Sequence, residues 1–140
     1  MKKIIIIIIA TLFSACILNA QNTVKIIVNQ SNSMSSIGKA KLSNIFLKKV
    51  TKFDNGVKAI PVDQVVDSPV REVFSSQYLS KSVSAVKNYW HQQLFSGAAV
   101  PPEEKSNDTD VVNFVKANAG AIGYVSSGAS VSGVKIIEVQ

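Results

Sequence analysis

Apolar and polar positions alternate along the chain in blocks that predict four strands and four helices. Thr23 to Val28 is β-branched and gives way to a polar run, Asn29 to Ser36, which predicts a buried strand leaving into a loop. From Gly38 or Lys39 to Lys48, Ala40, Leu42, Ile45, Phe46 and Leu47 fall on one face of a helix. Asp54-Asn55-Gly56 is a turn, and it feeds a second strand, Val57 to Val62. A loop of acids and small residues, Asp63 to Asp67, leads to Ser68-Pro69. There a hydroxyl N-cap and a proline at the first helical position start a helix running to about Leu79. A further helix begins near Ser82, presents Val83, Val86, Tyr89, Trp90 and Phe95, and stops at Gly97. Pro101 to Glu104 reads as a rigid connector, and Asn107 caps a helix that ends near Asn118. Ala121 to Val125 and Val134 to Val139 are the last strands, separated by a small-residue loop from Ser126 to Gly133. The order β-α-β-α-α-α-β-β, without internal repeats, predicts one α/β sandwich with helices on both faces of a sheet.

The first twenty residues stand outside that pattern. Lys2 and Lys3 precede an almost wholly apolar run, Ile4 to Leu18, and Ala20 before Gln21 offers a small-residue cleavage point. The run is too short to span a bilayer, so residues 1–20 are expected to be a secretory signal peptide, with 21–140 a single periplasmic domain. Cys16, after Phe13-Ser14-Ala15, offers lipoprotein processing as the weaker alternative, since Phe13 stands where a lipobox carries leucine. Cutting after Ala20 leaves no cysteine, hence no disulfide or thiol chemistry. Removing Lys2 and Lys3 takes two charges from the formal +6 and leaves +4, with no basic block of the kind that grips nucleic acid. Lys39, Lys41, Lys48 and Lys49 read as solvated helix faces.

Candidate chemistry is sparse. His91, the single histidine, has no partner with which to share a metal, and no catalytic triad can be assembled, so an enzyme is not expected. Asp63, Asp67 and Glu72 read as a solvated acidic loop. A strand feeding a helix start aims backbone N–H groups at one point, and Ser68 and Arg71 beside it could hold a small anion. Asn29, Ser31 and Ser33 follow the first strand, where open α/β sheets place ligands, and are the other candidate contacts.

Three segments carry a resemblance: IFLKKVTKFDNG (Ile45 to Gly56), PVDQVVDSPVREVF (Pro61 to Phe74) and GAIGYV (Gly120 to Val125). In that order they resemble the phosphate-binding component of phosphate ABC transporters, a type II periplasmic binding protein. The resemblance implies an α/β, three-layer-like sandwich equivalent to one lobe of that fold, and an exported protein binding phosphate or another oxyanion. Ser68 then matches the family's serine at a Ser-Gly-Thr helix start, with Pro69 at its glycine and Val70 at its threonine. Lys48 stands at the glycine of the first motif, and Phe53 at its tryptophan. The family's arginine ahead of the helix start has no equivalent, since Asp63 and Gln64 occupy that region. The alternative is a lobe without ligand serving as an envelope interaction module, paired with a second copy or with another envelope protein. No cofactor is expected in either case.

Overall fold

The computed structural model describes residues 23–140, so the expected signal peptide and Cys16 lie outside the described residues. Six strands form one sheet. They are β1 (Val24–Asn29), β2 (Ser36–Ile37), β3 (Ile60–Gln64), β4 (Glu103–Lys105), β5 (Ala121–Ser126) and β6 (Val134–Val139), in the order β2-β6-β1-β5-β3-β4. Helices α1 (Lys39–Phe46), α2 (Pro69–Phe74) and α3 (Val83–Ser96) lie with one face of it, and α4 (Asp108–Ala117) covers the other. The architecture is the expected three-layer α/β sandwich.

Alternation along the strands sets the two cores. Ile26 and Val28 of β1 join Ile122, Tyr124, Leu42, Phe46, Phe74 and Trp90, while Ile27 faces Val62, Val111, Val115 and Val125. At Gly123 the approach of α4 leaves no room for a side chain. A Cβ there would come within 2.8 Å of methyl groups of both Val62 and Val111, a spacing that real Cβ atoms do not show.

Several expectations are corrected. The central strand starts at Ile60 rather than Val57, and it continues through Asp63 and Gln64, which the hydrophobic pattern assigned to a loop. These two polar residues extend the strand because β4 and Tyr124 supply partners for them, which apolarity alone does not reveal. Part of the supposed connector is an edge strand, with Val62 paired to Glu103 and Asp63 to Glu104. The helix beginning at Pro69 does not run regularly to Leu79 but widens into a π-helical turn over Ser75–Leu79, which buries Ser75 and Leu79. Finally, Phe95 is not on the packed face of α3. It is 97% exposed, because α3 buries only Val86 and Trp90.

Lys48 is not part of the solvated face of α1. It lies beyond the end of the helix with φ +55°, half-buried, at the position where the resembling motif carries glycine. Its N–H donates to the Ile45 carbonyl at 3.0 Å, which closes the last turn and draws the backbone into the left-handed region.

Candidate functional site

At the C-terminal end of β3 the polar side chains satisfy one another. Arg71, 5% exposed, donates from Nη1 to the Gln64 carbonyl at 2.8 Å and to Glu104 Oε2 at 3.1 Å, while its Nη2 lies 3.5 Å from Asp63 Oδ2. The Tyr124 hydroxyl donates to Asp63 Oδ1, which also accepts the Gln64 N–H at 2.9 Å. The Gln64 side-chain amide donates to Asp108 Oδ1 at 2.9 Å and to the Tyr124 carbonyl at 3.2 Å, and its oxygen accepts the Ser68 hydroxyl at 2.6 Å. Ser126 completes the set through a 2.5 Å bond from its hydroxyl to Asp108 Oδ2. Asp63 is therefore a buried strand residue and not part of a solvated acidic loop.

Burial raises the Asp63 carboxyl above its ordinary value, against the opposing pull of Arg71 and of the hydrogen bonds from Tyr124 and Gln64. Burial, followed by the Asp63 charge, pushes the Tyr124 phenol upward, so the shared proton stays with the tyrosine. A raised folded value means that the native state holds its proton more tightly than the unfolded chain does. The resulting stability is fully present below the ordinary carboxylate range and is lost as pH rises through the elevated value. Wild type is expected to show that decline in urea titrations across the acidic range, and Asp63→Asn to lack it; an unchanged slope in the variant would assign the decline to another group.

The start of α2 has the expected local chemistry. Ser68 is the N-cap, its hydroxyl oxygen 3.4 Å from the Arg71 N–H, and Pro69 follows at the first helical position. Ser68 and Val70 line a hollow of about 350 Å³ together with Asp67, Ser106, Asn107 and Asp108. Ser68 also borders a groove of about 800 Å³ towards the start of α3, where Ser76, Ser82, Lys81 and Lys87 contribute hydroxyls and ammonium groups. Arg71 does not reach these hollows with a free charge, since its guanidinium is already engaged by Asp63 and Glu104.

The remaining candidates lie elsewhere. β1 runs antiparallel to β5, with Val28 opposite Ile122, whereas β3 runs parallel to β5, with Ile60 opposite Ala121. The loop after β1 consequently sits at the opposite end of the sheet from Ser68. The rule that ligands gather beyond strand C-termini applies to parallel neighbours, and β1 is not one of them. Asn29 there donates to the carbonyls of Val115 and Lys116 at 2.8 and 3.1 Å and accepts from the N–H and hydroxyl of Ser31 at 3.0 and 2.7 Å. The Ser33 hydroxyl accepts from Asn55 at 3.1 Å. Ser31 and Ser33 line a small hollow of about 210 Å³ with Asn32, Asn55, Val57 and Ala119. The six candidate residues thus form two separate groups.

Glu104, Gln64, Tyr124, Asp108 and Ser126 are the network residues that sequence reasoning did not single out as candidates. Glu104 was concealed in a proline-rich stretch, and only the register opposite Asp63 brings it to Arg71. Among the described residues no cluster of histidine, cysteine, aspartate and glutamate could hold a metal ion.

Comparison with known proteins bears on the fold. No protein-family model matches the chain, and no curated protein matches it by sequence. Among solved structures, an ABC-type phosphate transport receptor from Vibrio cholerae is similar with a TM-score of 0.65 at 19% identity, over 85% of this chain and 48% of that one. A proposed phosphate ABC transporter substrate-binding protein with bound phosphate, from Clostridium perfringens, gives 0.65 at 16%, over 85% and 46%. PstS from Borrelia burgdorferi gives 0.65 at 13%, over 84% and 47%. The chain has the fold of these binding proteins and spans about half the length of each.

Proposed function

We propose that the chain is an exported, one-lobed relative of phosphate-binding proteins, and that a small oxyanion, phosphate first, meets it weakly at the start of α2. The observation that carries this reading is Ser68 capping α2 at the C-terminal end of β3, in a lobe whose fold is that of phosphate receptors. Ser68 and the Val70 N–H are the contacts. Arg71 contributes only by holding β3, β4 and α2 together, because its charge is spent on Asp63 and Glu104. Asp67 and Asp108 border the hollow and oppose an anion, Pro69 removes one donor, and one lobe encloses only half a cavity. The dissociation constant is expected to be no better than about 1 mM, or about −4 kcal/mol.

Calorimetry with phosphate, sulfate and a neutral solute on wild type and Ser68→Ala checks this. Weak heat with the anions, reduced in the variant, supports the site. Micromolar phosphate affinity would show a complete receptor in a single lobe, and silence with every anion would leave the second reading, an envelope interaction module. That reading has its own supporting observation: Leu94, Phe95 and Val100 expose apolar surface at and after the end of α3, with Phe95 almost wholly in solvent. Export itself rests on Lys2-Lys3, the isoleucine run and Ala20. An intact mass beginning at Gln21 is expected for the periplasmic protein, and retention of Met1 or a lipid on Cys16 would contradict it.

A further inference from the structure

We infer that Lys48, Lys58 and the apolar floor between them form a second ligand site, for a small organic dianion that carries its charge on a flat apolar body. The site is a hollow of about 370 Å³ where the end of α1 meets the approach to β3 and the side of α4, and this volume falls in the range of small-molecule pockets. Ile45, Val50, Ile60, Pro61 and Phe114 provide its apolar lining, and Lys48 and Lys58 provide its cations. Ile60 is one of the exposed large apolar residues, which leaves part of this lining open to an occupant.

Charge around the hollow is unbalanced. Neither Lys48 nor Lys58 forms an ion pair with any described residue, although Lys41 and Lys105 each have one. Glu103, the acid on the rim, is already neutralised by Lys105 at 2.5 Å, and the Lys105 ammonium also sits 5.2 Å from the centre of the Phe114 ring. Burial, then the positive charge of Lys58, holds the Lys48 ammonium below its ordinary value. Two uncompensated ammonium groups suit a head bearing two negative charges. A bare inorganic ion would leave the apolar lining unused.

The backbone at Lys48 carries a cost of its own. Lys48 occupies a left-handed conformation that glycine adopts without cost, so the lysine side chain is kept there against the local preference of the chain. Ser80 shares this conformation at φ +53° after another helix, so the backbone geometry belongs to the helix end, and glycine at position 48 would remove its cost.

Phenyl phosphate is the probe, with inorganic phosphate and phenol as the single-feature controls, titrated against the purified chain by calorimetry. Phenyl phosphate is expected to bind at least tenfold more tightly than either control. Lys48→Gln and Lys58→Gln should each weaken it tenfold or more, whereas Ser68→Ala should leave it unchanged. Lys48→Gly discriminates further: it relieves the left-handed strain and should raise the thermal midpoint while losing the same affinity, a divergence that a purely structural lysine would not produce. Unchanged affinity in both glutamine variants, loss of binding in Ser68→Ala, or absence of saturable binding would each overturn the assignment. The inference does not depend on phosphate at α2, and the Ser68 variant separates the two sites.

Discussion

Arg71→Ala is expected to lower the free energy of unfolding by about 3–5 kcal/mol, the usual consequence of removing one member of a buried charge network. The guanidinium is the only cation between Asp63 and Glu104 among the described ion pairs, and it also satisfies the Gln64 carbonyl. Without it Asp63 keeps its place in the sheet with Tyr124 and Gln64 as donors, but faces a second carboxylate with no positive charge between them. Urea unfolding with a shared m-value measures the loss. Adding Glu104→Gln to Arg71→Ala should recover part of it, since one of the opposed carboxylates becomes neutral. A loss below about 1 kcal/mol would mean that Asp63 accommodates by protonation and that the ion pairs contribute little.

Phe74→Ala is the second substitution with a large expected effect, about 3–5 kcal/mol. The ring is buried and stacks on Tyr124 with centroids 3.9 Å apart and planes within 5°, and it packs against Phe46 at 4.7 Å. Aromatic contact adds to simple burial, and the vacated volume lies between α1, α2 and the sheet, where neither layer can close it without shifting the other. The variant should also disturb the Tyr124 hydroxyl and hence its bond to Asp63. Near-ultraviolet circular dichroism of the native state would register a changed tyrosine environment, and an unchanged spectrum with full stability would contradict the packing account.

Most of the layer arrangement was legible in the chain because the relevant signals are local. β-Branched runs mark β1, β5 and β6, and apolar spacing together with the caps Ser68, Ser82 and Asn107 marks the helices. β2 and β4 were not legible. Two or three residues carry no periodicity, and Glu103-Glu104-Lys105 becomes a strand only because β3 offers its free edge. The direction of β1 relative to β3 was equally hidden, since no residue type encodes it. That orientation decides whether Asn29, Ser31 and Ser33 lie near Ser68, and it puts them at the far end. Arg71 stood out as a candidate anion-binding cation by type and position. Its neutralisation was not, because one of its two acids comes from 33 residues further along the chain.

The margins of the sheet have a consequence for how copies of the protein meet. One border strand is two residues long, and the other consists of Glu103, Glu104 and Lys105. Extending the ladder into a neighbouring molecule would require a longer backbone row, and at β4 it would set like charges of two copies close together. Fibrillar stacking through strand borders is thus obstructed at both sides, and any assembly that does form has to use helical surfaces such as the one ending in Phe95.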